Sequence, residues 1–307
     1  MNVREWALPV YTILMQTAIG TLFFLWLLRL WGNATFGLDE MNKIIQIPVL
    51  IILITIVFAM IGAHFHLSKP YLSFLAATNF AHSWLSREIV FTVLCFLSTF
   101  GLFISLWLPK HYTRWVEWFA IFAISFGFIT VYCMGRIYQL PTQVAWDSPY
   151  TIPYYFITTF LLGIAALPAI LLMDLYFIHV EQLTQVPHQD RIIRKTFQIL
   201  AIIAILITVL ILLINVAQIN DLRMQTQEAA QASLLLLFTL YKPLLIFRYL
   251  ALFSGLGVFL ATARQVIRTH PSLREIMGNA FLACLLMMIG EILERLLFYA
   301  THVRIGV

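Results

Sequence analysis

The chain has 307 residues, of which 62% are hydrophobic and only 11% charged, against about 25% charged in a soluble domain. That balance excludes a water-soluble globule and reads as a polytopic membrane protein. The net charge of +5 is spread over many short loops, which fits positive-inside topology signals and not a nucleic-acid surface, where a basic stripe is needed on one soluble face.

The N-terminus, MNVREWALPVY, has a Glu and a Pro and no small-residue cleavage site, so no removable signal peptide is expected. A spanning helix needs about 20 apolar residues. In chain order the candidates are residues 8–28, 44–63, 89–108, 118–135, 152–173, 197–216, 244–263 and 277–300. The seventh contains Arg248, and the eighth contains Glu291, Glu294 and Arg295. The run Ala229–Tyr241 is too short to span and reads as an interfacial or re-entrant piece. The expected fold is all-α, an eight-helix integral membrane protein forming one domain over residues 1–307. Two four-helix bundles are expected, joined by the Asp174–Thr196 region. No internal sequence repeat or low-complexity tract is evident.

Loop charges set the orientation. Arg29, Lys43, Lys110, Arg114, Arg191, Arg194, Lys195, Arg264, Arg268 and Arg274 fall on one side. Arg4, Lys69, Arg87, Arg136, Arg223, Lys242 and Arg304 fall on the other. The modest bias places both termini outside, and with them the segment from His64 to Glu88.

That segment, GAHFHLSKPYLSFLAATNFAHSWLSREIVF at Gly62–Phe91, holds His64, His66, Lys69, His82, Arg87 and Glu88. It is the densest set of titratable groups in the chain. His66 follows the second helix and Glu88 opens the third. An acid at the membrane is costly unless solvated or paired, which makes it a functional candidate. A quinol that loses two electrons also loses two protons, and a His with a carboxylate supplies two acceptors whose proton affinities burial can tune. The plain alternative is interfacial: Glu88 in the first turn of its helix, with Ser86 as N-cap, is where the dipole favours an acid.

Arg136 ends the fourth helix and precedes a loop with Tyr138, Trp146 and Asp147. It either lines a pocket or docks a partner, or it snorkels to the interface. Glu291 and Arg295 are four apart on one helix face, a spacing that favours an internal ion pair, and they read as structural. Asp174 and His179 read as interfacial. Cys95, Cys133 and Cys284 lie in apolar segments and in no CxxC, so no metal, iron–sulfur or c-haem site is expected. A bis-His b-haem needs histidines inside helices at matching depth. His66 and His302 share the outer side but sit at helix ends, and His179 is on the other side, so no haem is expected.

The run HFHLSKPYLSFL…SWLSREI resembles the membrane anchor subunit of the dimethyl sulfoxide reductase family, which has a histidine-leucine-glycine motif after the second helix and an LSREI-like motif opening the third. The likeness continues in GRIYQLPTQVAW at Gly135–Trp146, FRYLALFSGLG at Phe247–Gly257 and GEILERLLFY at Gly290–Tyr299. The eight-helix count and outer termini agree. This resemblance implies a non-haem anchor in the bacterial inner membrane with periplasmic termini, bound to an iron–sulfur subunit and a molybdopterin subunit. It would oxidise menaquinol in anaerobic respiration and pass electrons to the iron–sulfur partner. The family's quinol-site residues map onto His66 and Glu88, with His64, Arg87, Arg136 and Trp146 as further pocket or docking candidates. Three positions depart from the pattern: Ser68 stands for Gly, Leu72 for Arg, and Glu294 for the Gly before Arg295. A secondary transporter and a structural anchor without a quinol site are the alternatives.

Overall fold

The computed structural model describes residues 3–65, 75, 77–108, 113–177, 182–269 and 271–303. Among them are nine α-helices, eight of which are long and apolar enough to cross a membrane. They are α1 (Val3–Phe36), α2 (Leu38–Phe65), α3 (Trp84–Trp107), α4 (Thr113–Tyr138), α5 (Thr151–Phe177), α6 (Pro187–Met224), α7 (Glu228–Phe238), α8 (Lys242–Arg268) and α9 (Leu273–Ala300). The short one is α7, over the run read as too short to span.

Each expected span falls within one observed helix or within a residue of its end, and the observed helices run longer. The reason is local. Gly37 (φ 88°) provides a left-handed turn between α1 and α2 that closes on Asn33 O, a conformation glycine adopts without cost. Asp39 and Glu40 then follow in the first turn of α2, where the dipole favours acids. Pro187 starts α6, where its missing N–H costs nothing. With 38 residues, α6 is about 57 Å long, well beyond the roughly 30 Å hydrocarbon layer. Its last turns therefore stand clear of the core. There Leu222 packs with Val144, Ala145, Ala229, Ala230 and Leu234, so α7 rests on the end of α6 and on the loop before α5.

The packing forms two rings, α1–α4 and α5, α6, α8 and α9. They share a seam where α1 meets α5, the two most buried spans. A Cβ on Gly20 would lie 1.9 Å from the Thr159 carbonyl oxygen, and one on Gly163 would lie 2.2 Å from the Gly20 carbonyl carbon. Backbones can approach this closely only because both residues lack a side chain. Gln16 Nε2 donates to Tyr155 O (2.7 Å) and Thr159 Oγ1 (3.3 Å) across the same seam. Buried threonines donate to the carbonyl one turn back, as Thr17 does to Ile13 O and Thr99 to Cys95 O, both within 2.8 Å. This keeps hydroxyls satisfied inside apolar helices.

Candidate functional site

The third helix begins at Trp84, five residues before the expected start. Its cap is Ser83, whose side chain accepts from Ser86 N–H at 3.3 Å. Ser86 is not the cap but is buried within the helix. Glu88 consequently lies beyond the first turn, 5% exposed, facing α1. The Tyr11 hydroxyl lies against its carboxyl and is also bonded to Thr92 Oγ1 at 2.9 Å. An α1 tyrosine thus lies against an α3 carboxylate inside the first ring, near one end of the bundle.

One residue back, Arg87 turns the other way. It donates to Phe80 O (3.0 Å) and Ala81 O (2.6 Å), tying down the segment before the helix. Its guanidinium lies 4.2 Å from the Trp84 ring, and Arg136 approaches the same ring at 5.1 Å. Arg136 also donates to Gln139. Two cations on one indole form a positively charged, aromatic rim beside Glu88. The structure therefore gathers Arg87, Glu88 and Arg136 from two helices. His64 is exposed on the last turn of α2, with Nδ1 2.7 Å from Met60 O. His66, together with Lys69 and His179, lies outside the described residues.

Trp146 belongs to a different cluster. Its indole donates to Phe298 O (2.7 Å), and it stacks on Phe298 and on His302, with centroids 4.5 Å apart for the latter. Tyr138 lies edge-on to it and shares a 2.5 Å hydroxyl contact with Tyr299. This cluster clamps the loop before α5 onto the end of α9.

The expected Glu291–Arg295 ion pair does not form. Arg295 leaves its own helix and donates to Gln16 Oε1 (3.1 Å), with its guanidinium 3.6 Å over the Tyr155 ring. Glu291 Oε2 accepts from Thr158 Oγ1 (2.9 Å) and Tyr154 OH (3.3 Å). The strong pair is Arg248 with Glu294, at 2.6 Å between α8 and α9, and Arg248 also donates to Tyr154 OH at 2.9 Å. Helical spacing permits an internal pair, but inside the bundle α1, α5 and α8 offer partners that desolvated groups take up. Glu294 is the residue that neutralises Arg248.

Sequence reading missed Tyr11, Gln16, Tyr154, Tyr155 and the Arg248–Glu294 pair. The available signal was depth. All lie within the first or last few turns at one end of the bundle, and buried polar residues there need one another.

A family model described as the DMSO reductase anchor subunit (DmsC) matches residues 1–301. The chain is also similar to the "Anaerobic dimethyl sulfoxide reductase chain YnfH" of Escherichia coli (strain K12), at 25% identity over 308 residues, covering 99% of this chain and 96% of that protein.

Proposed function

The chain belongs to the family of DMSO reductase anchor subunits, and from that premise we propose that it oxidises a quinol, menaquinol in particular, at the outer membrane face. The anchor is a multi-pass membrane protein associated with a DMSO reductase complex. Its electrons pass to an iron–sulfur subunit, which feeds a molybdopterin subunit, and the membrane is the bacterial inner membrane with periplasmic termini.

The observation that carries the reading is Glu88: a carboxylate buried near one end of the bundle, against a tyrosine hydroxyl, beside a Trp84 ring bracketed by two arginines. A structural anchor has no need of a buried acid there, since burial of a carboxylate is costly. The chemistry balances simply: the quinol gives up two electrons to the partner's redox centre and two protons to protein groups. Glu88 takes one proton and His66 is proposed to take the other. The aromatic and cationic rim at Trp84, Arg87 and Arg136 orients the ring and its oxygens. Glu88 is four residues from the start of α3, about 6 Å along the axis, so its proton leaves to the outer water over a short path.

The test is a Glu88→Gln and a His66→Gln complex, purified through a tag on this chain. Partners and metals in wild-type amounts, with quinol-dependent turnover down about 100-fold or more, support the reading. Unchanged turnover leaves a structural anchor. Recovery of the wild-type chain alone, free of redox partners, would move a transporter reading forward.

A further inference from the structure

The other end of the bundle contains a slot that the quinol chemistry does not use. It has a volume of about 100 Å³ and lies between α1, α5 and α6, lined by apolar residues of α1 and α6, with Leu167 at its back. Leu27 and Ile199 in its wall are exposed, so it opens sideways to the lipid and not into the core. Its long axis follows the helices. From Phe24 to Trp31 the α1 wall covers eight residues, and from Lys195 to Ile203 the α6 wall covers nine, a rise of about 10–12 Å each.

One residue in this wall does not fit. Lys195 is half-buried and lines the slot, yet it has no carboxylate partner among the described residues. The neighbouring acid is already committed, with Asp190 bonded to Arg194 at 2.8 Å. Thr196, the other polar wall residue, donates to Ile192 O of its own helix at 2.8 Å. One turn before Lys195, Arg191 is exposed, with its guanidinium 5.9 Å from the Phe36 ring on α1. Lys195 thus stands in the wall of an apolar slot beside Trp31, with Arg191 one helical turn away toward Phe36, at the level where the apolar run of α6 begins.

We infer that this slot is a binding site for one anionic phospholipid, with its phosphate on Lys195 and Arg191 and an acyl chain between Phe24, Leu27, Ile199 and Ile203. Charge complementarity selects the lipid class. An ammonium with no carboxylate partner among the described residues, at the hydrocarbon boundary, is matched by a phosphodiester that has no ammonium of its own, and basic pockets between membrane helices bind such headgroups. The slot supplies the second element, a groove with the direction and depth of a lipid tail. The inference is independent of the quinol reading, which concerns the opposite end of the bundle.

The test uses the full chain in nanodiscs containing equal amounts of phosphatidylglycerol and phosphatidylethanolamine, released for native mass spectrometry. One phosphatidylglycerol should be retained in preference to phosphatidylethanolamine by about tenfold. Arg191→Gln with Lys195→Gln should abolish that preference, and Arg264→Gln with Arg268→Gln should leave it intact. Equal retention of both lipids, or a preference that survives the Arg191 and Lys195 changes, overturns the assignment. Should the double variant fail to fold, the wild type decides: chain-brominated phosphatidylglycerol must quench fluorescence that Trp31→Phe removes. Quenching that is the same with and without Trp31, or displacement of the lipid by menaquinol or by glycerol phosphate alone, overturns it as well.

Discussion

A carboxylate in the first turn of α3 would face the headgroups and complement the helix dipole. Glu88 stands beyond that turn and inside the ring, where a dipole argument no longer explains it and Tyr11 is its neighbour. The residue was legible as a candidate from its place between two apolar runs. Its partner was not, because Tyr11 is 77 positions away on another helix, among several polar residues that carry no spacing signal. Tyr11→Phe removes the hydroxyl beside the acid, along with its bond to Thr92 Oγ1, and keeps the ring. The expected result is quinol oxidation lowered about tenfold, a smaller loss than for Glu88→Gln, in a complex that still assembles. Steady-state turnover per assembled complex measures both.

The Arg248–Glu294 pair is a separate matter of stability. Glu294→Gln or Arg248→Met alone leaves a buried charge without its partner, at a cost of about 3–5 kcal/mol. Replacing both with apolar residues should cost less than the sum of the two single changes. Thermal unfolding in detergent measures this cycle, and strict additivity would mean the two charges do not interact. The spacing of Glu291 and Arg295 pointed to the wrong pair because i, i+4 geometry holds for an isolated helix. In the bundle, Gln16 and Tyr155 reach Arg295, and Tyr154 and Thr158 reach Glu291.

At the scale of elements, hydropathy alone placed all eight spans, because a membrane helix must satisfy its backbone internally and offer lipid a continuous apolar surface. Helix ends were less legible. Ser83 caps α3 three residues earlier than the residue chosen from sequence, since a capping serine and a buried one look alike until the partner N–H is known. The α1–α5 seam was also invisible, as one glycine per helix gives no motif. Gly20→Leu or Gly163→Leu should prevent α1 and α5 from packing and abolish recovery of monodisperse protein. Gly278→Ala, where a Cβ meets nothing within 4 Å, should be neutral or raise stability by up to about 1 kcal/mol. Size-exclusion profiles and melting temperatures of the three variants distinguish these outcomes. A Gly20→Leu protein that folds normally would show that the close approach is not required.

At the scale of the molecule, the two expected groups of helices appear as two rings, but they are joined between Tyr138 and Thr151 and not by the Asp174–Thr196 region, which links α5 to α6 within the second ring; α1 and α5 belong to the seam as much as to their own ring. The orientation proposed from the loop charges has the Glu88 end outward. If the quinol's protons leave on the side that receives its electrons, turnover moves no net charge across the bilayer. Complex reconstituted in sealed vesicles with a potential-sensitive dye should accordingly show no quinol-driven potential. A potential that builds with turnover would require an inward proton or electron path through the bundle.

The proposed quinol chemistry depends above all on the quinol lying at the start of α3. Photolabelling of the assembled complex in membranes with an azido-quinone, followed by peptide mapping, tests it most directly. Label is expected on residues around Trp84–Glu88 or the facing turn of α1 near Tyr11, reduced by excess menaquinol analogue. Competable label confined to the Lys195 end of the bundle, or to α8 and α9, would contradict it.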